Sequence, residues 1–377
     1  MIFFLRSLFA QPLLNGFMVV RIWKSYELRK VWKWALIILY AIETLCYFVV
    51  FFAGYRLPMA MYATMQTMSG IWVIMQAYLI GVVLLFDVFF YFAKRFQFLP
   101  YMKEKRIRAA KITVFIGIFC FLCFQLTRGY HHIRHPVVQY YTYTFGEDGN
   151  DVRARFRLLV ASDLHLGFII NARFLEHFVD EMNAQQPDIV VINGDLVDYG
   201  LRSLIIGKMD SILCRIQAPQ GKFFIPGNHE YKIEPEQCLQ WISDRCGLTV
   251  LRDSVVMIDS TLYLIGRDDR KNKEKRLPIE KLLGKTDPAF PRIFFSHQPG
   301  DIPDSYRCGV PLTICGHTHG GQLFPVNWMV RWIFLNGYGW RYSGKQASYT
   351  SSGLGVSGVP LRIGSRSEML VLEIEVY

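Results

Sequence analysis

Five short motifs with metal-ligating side chains lie where apolar runs of the sequence end. They are SDLHLG (162–167), NGDLVD (193–198), PGNHE (226–230), FSHQPG (295–300) and CGHTHGG (315–321). Alternate residues of an extended segment share one face, so the two polar side chains of D-x-H or H-x-H can reach one ion together. Each motif alone is typical of a turn or a polar surface loop, but the strand ends of an open α/β fold converge on one crevice. The five motifs in this order therefore predict a metal site.

The motif order resembles that of the calcineurin-like metallophosphoesterase superfamily, whose pattern is D-x-H, G-D-x-x-D/R, G-N-H-E/D, a lone H and G-H-x-H. The match covers about residues 155–377, and the GHTHGGQ form and the tail are similar to a bacterial branch whose members often carry membrane segments ahead of the catalytic domain. The resemblance implies two divalent metal ions bridged by Asp195. One ion would be held by Asp163, His165, Asp195 and His319, and the other by Asp195, Asn228, His297 and His317.

The chemistry of these residue types fits that assignment. The ligands offer oxygen and nitrogen atoms and no thiolate, which suits Mn, Fe or Zn. Two such ions about 3.5–4 Å apart can hold a hydroxide and clamp a phosphoryl group. His229 is not used for metal and can protonate the leaving oxygen or stabilise the developing charge. Asp198 would orient His229 through a hydrogen bond, unless it only caps the loop.

The predicted function is that of a membrane-anchored dinuclear-metal phosphohydrolase or phosphodiesterase. A lipid or lipid-linked phosphoester is among the candidate substrates. The alternative is a non-catalytic membrane sensor or transport component whose domain only binds metal. An inactive domain would usually have lost a ligand or His229, and every expected position is filled. The sequence therefore favours the enzyme, while it leaves the oligomeric state open.

Four apolar stretches in the first 130 residues predict a helical transmembrane bundle. They are residues 2–20, 34–54, 70–93 and 112–126, and a spanning helix needs about 20 mostly apolar residues. The first stretch is the weakest because Arg6, Gln11 and Asn15 interrupt it. A signal peptide is its alternative interpretation, but no small-residue cleavage site follows.

Strand-like and helix-like segments alternate after residue 136. RFRLLVAS is followed by ARFLEHFVDEMNAQQ, and DIVVIN by LRSLIIGKMDSILCRI. Such alternation predicts an α/β sandwich around mixed sheets, and the resemblance implies its α-β-β-α form. We therefore predict a membrane domain at 1–130, a juxtamembrane linker with the first strand at 131–154, and the metallophosphoesterase domain at 155–377.

The distribution of charge excludes nucleic acid as the reason for the net charge of +11. Residues 1–136 carry 16 Lys+Arg and 4 Asp+Glu, whereas the remainder carries 26 and 27. The excess is concentrated in two loops, after the first and the third predicted spans, and basic loops stay in the cytoplasm. With four spans, the catalytic domain is predicted on the non-cytoplasmic side of the inner membrane. Free cysteines there would argue against this topology, although the spacing of Cys238 and Cys246 allows a disulfide.

Two further features have no settled role in the sequence. Glu43 and Asp87 fall inside predicted spans, where carboxylates are functional candidates by default; Glu43 has no partner that the sequence identifies. Residues 323–342 are rich in Trp and Tyr, contain two arginines and lack acids. They are expected either to form part of the domain core or a lid, or to enter the bilayer interface, where Trp and Tyr are enriched.

Overall fold

The structure is a computed structural model that describes residues 2–25, 29–53, 56–96, 104–146, 152–198, 200–232, 234–273 and 275–377. It has two compact units, Met1–Thr127 and Arg128–Tyr377. Residue 54 of a predicted span and residues 147–151 of the predicted linker lie outside the described residues.

Four helices form the first unit, and the last of them continues into the second. They are α1 (Ile2–Ser25), α2 (Lys30–Ala53), α3 (Met59–Arg95) and α4 (Glu104–Arg134). Within the described residues, three segments are long and apolar enough to cross a membrane, namely Lys30–Phe52, Ala60–Ala93 and Ile112–Arg134. The second, third and fourth predicted spans fall on these three segments. The prediction of an N-terminal bundle of apolar helices is therefore confirmed.

The first predicted span, residues 2–20, is helical but does not qualify as a span. Gln11 and Asn15 lower the hydropathy of α1, and both side chains are buried rather than turned to the outside. The prediction of four spans is thus corrected to three for the part of the chain that the structure describes.

Both carboxylates that the sequence places inside spans have partners on other helices. Asn15 donates to Oε2 of Glu43 at 2.6 Å, and the amide of Gln11 donates to Oε1. Arg21 donates to Asp87 at 2.6 Å. The partners lie between 28 and 66 residues away along the chain. No local pattern reveals such contacts, which is why the sequence offers no partner for Glu43.

The second unit is built on two six-stranded sheets. In chain order its strands are β1 (Val137–Phe145), β2 (Ala154–Ala161), β3 (Ile189–Asn193), β4 (Lys222–Ile225), β5 (Thr249–Val250), β6 (Ser254–Ile258), β7 (Leu262–Gly266), β8 (Arg292–Phe295), β9 (Leu312–Cys315), β10 (Gly339–Ser343), β11 (Gln346–Thr350) and β12 (Glu368–Val376). The first sheet has the order β1-β12-β2-β3-β4-β5 and the second β10-β11-β9-β8-β7-β6. Within them β2, β3 and β4 run parallel, as do β7, β8 and β9.

The helices of this unit are short. They are α5 (Ala172–Ala184), α6 (Arg202–Ile206), α7 (Met209–Cys214), α8 (Pro235–Cys246), α9 (Ile279–Leu283), α10 (Ile302–Arg307) and α11 (Val326–Ile333). α5 has the most regular apolar stripe, with buried Leu175, Phe178, Val179 and Met182 at helical spacing. It begins where the side chain of Asn171 accepts from the amide of Arg173 at 3.1 Å.

Side chains of β2 alternate between two cores, as the period of a strand requires. Leu158 and Val160 lie in the core between the sheets, together with Ile293 of the second sheet. Leu159 lies on the other face, in the core that contains Phe178 of α5. Burial on both faces explains why RFRLLVA reads as a nearly continuous apolar run.

The second sheet is covered in the same way on its outer face. Phe294 of β8 packs with Ile279 and Leu282 of α9 in a separate cluster. The layers are therefore helices, sheet, sheet and helices, and the predicted α-β-β-α sandwich with mixed sheets is confirmed.

The disulfide that the spacing allows is not formed. Cys238 and Cys246 are both free and buried near the two ends of α8. Burial raises the pKa of the Cys238 thiol to about 12, so this cysteine behaves as a small apolar residue. All eight cysteines of the chain are free.

Candidate metal centre

The loops that follow five strands bring all the predicted site residues together. Asp163 and His165 follow β2, Asp195 and Asp198 follow β3, Asn228 and His229 follow β4, His297 follows β8, and His317 and His319 follow β9. All of them are buried except His317, which is half-buried. Parallel neighbours end at the same edge of a sheet, so residues far apart in the sequence become neighbours there.

One group of ligand atoms is formed by Asp163, His165 and His319. Nε2 of His165 lies 3.0 Å from Nε2 of His319, and the latter lies 3.5 Å from Oδ1 of Asp163. Oδ2 of Asp195 is 3.7 Å from Nε2 of His165. Two imidazole nitrogens and two carboxylates thus face one point, as a divalent cation requires of its ligands.

A second group is formed by Asp195, His297 and His317. Nε2 of His297 lies 3.2 Å from Oδ2 of Asp195, while Nδ1 of His297 donates to the carbonyl oxygen of Asn193 at 2.8 Å. That bond fixes the tautomer and leaves a lone pair on Nε2, which faces the site. Asp195 thus contacts His165 of the first group and His297 of the second.

Three atoms of the residues predicted to hold the second ion have no hydrogen-bond partner among the described residues. They are Oδ1 of Asn228, Nε2 of His297 and Nδ1 of His317. Buried polar atoms are nearly always hydrogen-bonded, and exceptions need an explanation such as an ion. The donor set and these atoms both fit a divalent cation.

The backbone at the site is unusual. Five of the site residues adopt a left-handed conformation: Asp163, His165, Asp195, His317 and His319 have φ between 48° and 71°. Residues other than glycine seldom adopt this conformation, which costs energy and clusters at functional sites. Gly316 is needed for a different reason, because a Cβ there would lie 2.5 Å from Oδ2 of Asp163. The sequence shows the flanking glycines but not the strained residues between them.

His229 and Asp198 lie side by side, and His229 forms a further group of candidate ligand atoms with His165 and Asp195. Nδ1 of His229 is 2.8 Å from Oδ1 of Asp198, and its backbone amide donates to Oδ1 of Asp195 at 2.8 Å. Burial opposes the charged form of Asp198, but the imidazoles of His165 and His229 hold its pKa below the ordinary value. Nε2 of His229 faces the site, 3.8 Å from Oδ2 of Asp195, and also contacts the amine of Lys232.

The electrostatic environment favours the neutral form of His319. Burial and then the neighbouring His165 and Arg362 lower the pKa of His319 well below its ordinary value. A neutral imidazole is the form that binds a metal ion. Asp195 is ionised although it is buried, because His297, His165 and His229 around it hold its pKa well below the usual range.

Two residues without a role in the sequence analysis support the site. Glu230 is buried and accepts from the backbone amides of Asp195 at 3.1 Å, Val197 at 3.0 Å and Gly227 at 2.8 Å. It therefore joins the loops after β3 and β4. Burial and then the charge of Asp195 raise the pKa of Glu230 to about 7. Its position as the last letter of PGNHE is the only signal that the sequence gives.

Arg362 is the second such residue, and it is completely buried. Its guanidinium donates to the carbonyl oxygens of Gly353 at 2.9 Å and of Gly355 at 2.5 Å and 3.1 Å. It also lies 3.3 Å from the carbonyl oxygen and from Nδ1 of His319. Arg362 thus connects the C-terminal loop to a candidate ligand. The apolar neighbours in VPLRIG hint at burial but not at its partners.

Comparisons with known proteins agree with this geometry. The family described as "Calcineurin-like phosphoesterase" matches residues 156–321. A Helicobacter pylori (strain J99) protein named "Uncharacterized metallophosphoesterase" is 29% identical over 296 residues, which are 76% of this chain and 76% of that protein. An Aquifex aeolicus protein of the same name is 30% identical over 257 residues, 66% of this chain and 97% of that protein.

A vertebrate relative is named as a transmembrane protein. The Danio rerio protein named "Transmembrane protein with metallophosphoesterase domain" is 31% identical over 229 residues, 56% of this chain. The match spans 52% of that protein, so about half of its length has no counterpart in the alignment.

Proposed function

Because the chain belongs to the calcineurin-like phosphoesterase family, we propose that it is a metal-dependent phosphoric ester hydrolase, a phosphatase or phosphodiesterase, anchored in a membrane. One observation supports this most directly. Oδ1 of Asn228, Nε2 of His297 and Nδ1 of His317 are buried without a hydrogen-bond partner among the described residues, and both histidines belong to one group of candidate ligand atoms with Asp195. A cation is the ligand that completes such a set of acceptors.

The family uses two divalent metal ions, and the residues present suit that arrangement. Asp163, His165, Asp195 and His319 would hold one ion, and Asp195, Asn228, His297 and His317 the other. The carboxylate of Asp195 serves both because it offers two oxygens. All donors are oxygen or nitrogen, so Mn, Fe and Zn fit the set better than a thiophilic ion.

The bound ions would activate water and offset the charge of a phosphoryl group. The protein's own contribution to the chemistry comes from His229. Oδ1 of Asp198 lies 2.8 Å from Nδ1 of His229, while Nε2 of His229 is toward the site. From there His229 can give a proton to the leaving oxygen or stabilise negative charge on the phosphoryl group. In this scheme Asp198 positions His229 and does not only cap the loop.

The experiment that tests the proposal is hydrolysis of bis-p-nitrophenyl phosphate by the full chain with Mn²⁺. Asp195→Asn and His229→Ala should abolish hydrolysis. Asp244→Asn and His135→Ala are matched controls, because both residues are exposed and take no part in the site. If the purified protein binds metal but hydrolyses no member of a broad phosphoester panel, the alternative of a non-catalytic sensor replaces the proposal.

We further propose that the catalytic unit lies on the non-cytoplasmic side of the inner membrane. Arg21, Lys24 and Arg29 precede the first of the three spans, and a second basic cluster, residues 94–111, precedes the third. Arg56 is the only basic residue in the sequence between the first and second spans. Basic segments stay in the cytoplasm. With three spans instead of four, only α1 is assigned differently, and the catalytic unit remains on the non-cytoplasmic side.

A reporter after Tyr377 tests this orientation. Alkaline phosphatase fused there should be active, whereas a fluorescent reporter that folds only in the cytoplasm should be dark. The reverse result would place the unit in the cytoplasm, a compartment that the free cysteines also suit. The side decides which phosphoesters reach the site, including the lipid or lipid-linked substrates among the candidates.

A further inference from the structure

The outer face of α11 exposes large apolar side chains. Trp332 is 88% exposed and Ile333 68%, with Trp328 at 58% and Met329 at 54%. Val330 is the buried residue of this helix. Soluble domains seldom expose so large an apolar patch without a partner. Of the two interpretations of residues 323–342, the core interpretation is therefore wrong for the outer face of α11.

Behind this helix lies a cavity of about 280 Å³ with a basic lining. Arg128, Arg331 and Arg366 line it together with His132. None of the three arginines has an ion-pair partner within the part of the chain that the structure describes. The one acid in the lining, Glu368, already accepts from the hydroxyls of Tyr338 at 3.0 Å and Tyr349 at 2.9 Å. The cavity thus has an uncompensated positive charge.

The position of the cavity in the chain is equally informative. Ile112–Arg134 is the third candidate span, and its end, from Arg128 onward, belongs to the second unit. The carbonyl oxygen of Gly129 accepts from the amide of Arg362 at 3.1 Å. Since about 20 residues cross a bilayer, the end of this span, from Arg128 onward, lies where the helix leaves the hydrocarbon. Two walls of the cavity, Arg128 and His132, are therefore at the depth of the lipid head groups.

We propose that α11 is an interfacial helix whose outer face enters the bilayer, and that the basic cavity behind it binds the phosphate of an anionic phospholipid. Trp has an apolar ring and a polar N–H, which suits it to the boundary between acyl chains and head groups. Arginine pairs well with phosphate oxygens, and basic residues near a membrane attract anionic lipids. This contact does not depend on the proposed hydrolysis, because it involves none of the metal ligands.

Bilayer entry is tested with the full chain in nanodiscs of phosphatidylcholine whose acyl chains carry bromine near the head group. Bromine quenches only the tryptophans that reach its depth. The double variant Trp328→Phe, Trp332→Phe should lose a quenched component that the wild type has. Trp340→Phe is the matched control, since this ring stacks with Tyr143. Equal quenching in the double variant and the wild type would overturn the interfacial assignment.

The cavity is tested by native mass spectrometry of detergent-purified protein titrated with phosphatidylglycerol. Removal of one arginine near an anionic surface weakens binding about fivefold, so Arg331→Gln combined with Arg366→Gln should weaken it more than tenfold by the same principle. Arg341→Gln is the control, because Arg341 is exposed in the same region but does not line the cavity. Equal loss in the control, or equal binding of phosphatidylcholine, would contradict the proposal.

Inorganic phosphate separates a lipid site from a general anion site. Phosphate at the concentration of the lipid should not displace phosphatidylglycerol, and displacement would overturn the lipid assignment. Melting temperatures that match the wild type show that the variants are folded; if the double arginine variant melts early, Arg331→Gln alone provides the comparison. Metal content measured on the same samples reports on the proposed function separately, so failure of one proposal is distinguishable from failure of the other.

Discussion

The two units of the chain each contain a cluster of buried polar side chains, and the clusters differ in how they are satisfied. In the helical unit both oxygens of Glu43 accept hydrogen bonds, from Gln11 and Ser69 on one oxygen and from Asn15 on the other. In the α/β unit Asn228 and His317 each present a buried atom for which the described part of the chain offers no hydrogen-bond partner. Both clusters are polar groups removed from water. Only the second leaves acceptors for something that is not protein.

This difference separates a structural polar cluster from a binding site. Burial of a polar group is costly unless it is hydrogen-bonded, so several open acceptors gathered at one place indicate a group that completes them. They differ in this from the isolated side chain of Gln76 in the helical unit, which has no hydrogen-bond partner among the described residues. The cluster around Glu43 is completed by amides and a hydroxyl of neighbouring helices. Glu43, which the sequence singles out as a functional candidate, is therefore accounted for as a contact between helices.

The comparison is tested most severely at the bridge. Asp195→Ala removes a carboxylate that contacts His165 of the first group and His297 of the second, so the protein should lose both metals or hold them wrongly. Activity should fall at least about 10³-fold, since the ions supply the largest part of the chemistry. Elemental analysis and hydrolysis of bis-p-nitrophenyl phosphate measure the two effects. Full metal occupancy in this variant would mean that the open acceptors do not mark the metal site.

His229→Ala should separate metal binding from turnover. His229 shares a group of candidate ligand atoms with His165 and Asp195, but its proposed task is proton transfer, so metal content should stay at the wild-type level. The turnover number should fall about 10²–10⁴-fold, the usual range for a general acid. A loss of metal equal to that of Asp195→Ala would contradict this division of roles.

Arg362→Met tests whether the buried guanidinium supports the site or only the fold. Outer partners of metal ligands typically change metal affinity about 10–100-fold, and we expect a loss in that range together with a lower melting temperature. Arg362→Lys keeps the charge and should restore the melting temperature more than the metal affinity, because lysine cannot reach Gly353 and Gly355 together. Metal titration followed by calorimetry gives both values. If affinity follows stability in both variants, Arg362 acts through the fold alone.

Glu43→Ala provides the smallest expected effect on activity. It removes one acceptor from each amide, although Gln11 keeps Ser69 and Asn15 keeps Thr44 as acceptors, so the helical unit should lose about 1–3 kcal/mol of stability. Metal content and hydrolysis of a soluble phosphodiester should not change. A clear loss of hydrolysis at full metal occupancy would show that the satisfied cluster has a function beyond structure.

The sequence predicts which residues gather at the candidate site, but it does not predict the residues that support them or the backbone conformation there. Asp163, His165, Asp195 and the paired histidines stand in short motifs at strand ends, and each motif is local. Glu230 and Arg362 could not be assigned, because their partners are backbone groups brought near by the tertiary fold. The left-handed backbone of the ligands is equally hidden, since the same letters could lie in an ordinary turn.

The fold shows the same division between local and distant signals. Strand and helix alternation predicts the layered sandwich, and apolar length predicts three of the spans. The failure at residues 2–20 has a physical reason: amphipathic packing of Gln11 and Asn15 against other helices gives a helix that hydropathy alone does not classify. The free state of Cys238 and Cys246 likewise depends on their orientation in α8, which spacing alone does not determine.

The end of α4 has a consequence for anyone who wants the catalytic unit without its membrane helices. Ile133 is completely buried in the same core as Phe178, and β1 pairs with β12 along its whole length. A fragment cut at residue 155 would lose both, and an unfilled site of isoleucine size costs about 2–5 kcal/mol. The soluble fragment with the best prospect of folding therefore begins at or before Arg128. It retains residues 128–134, which are the end of a helix whose hydropathy is that of a membrane span.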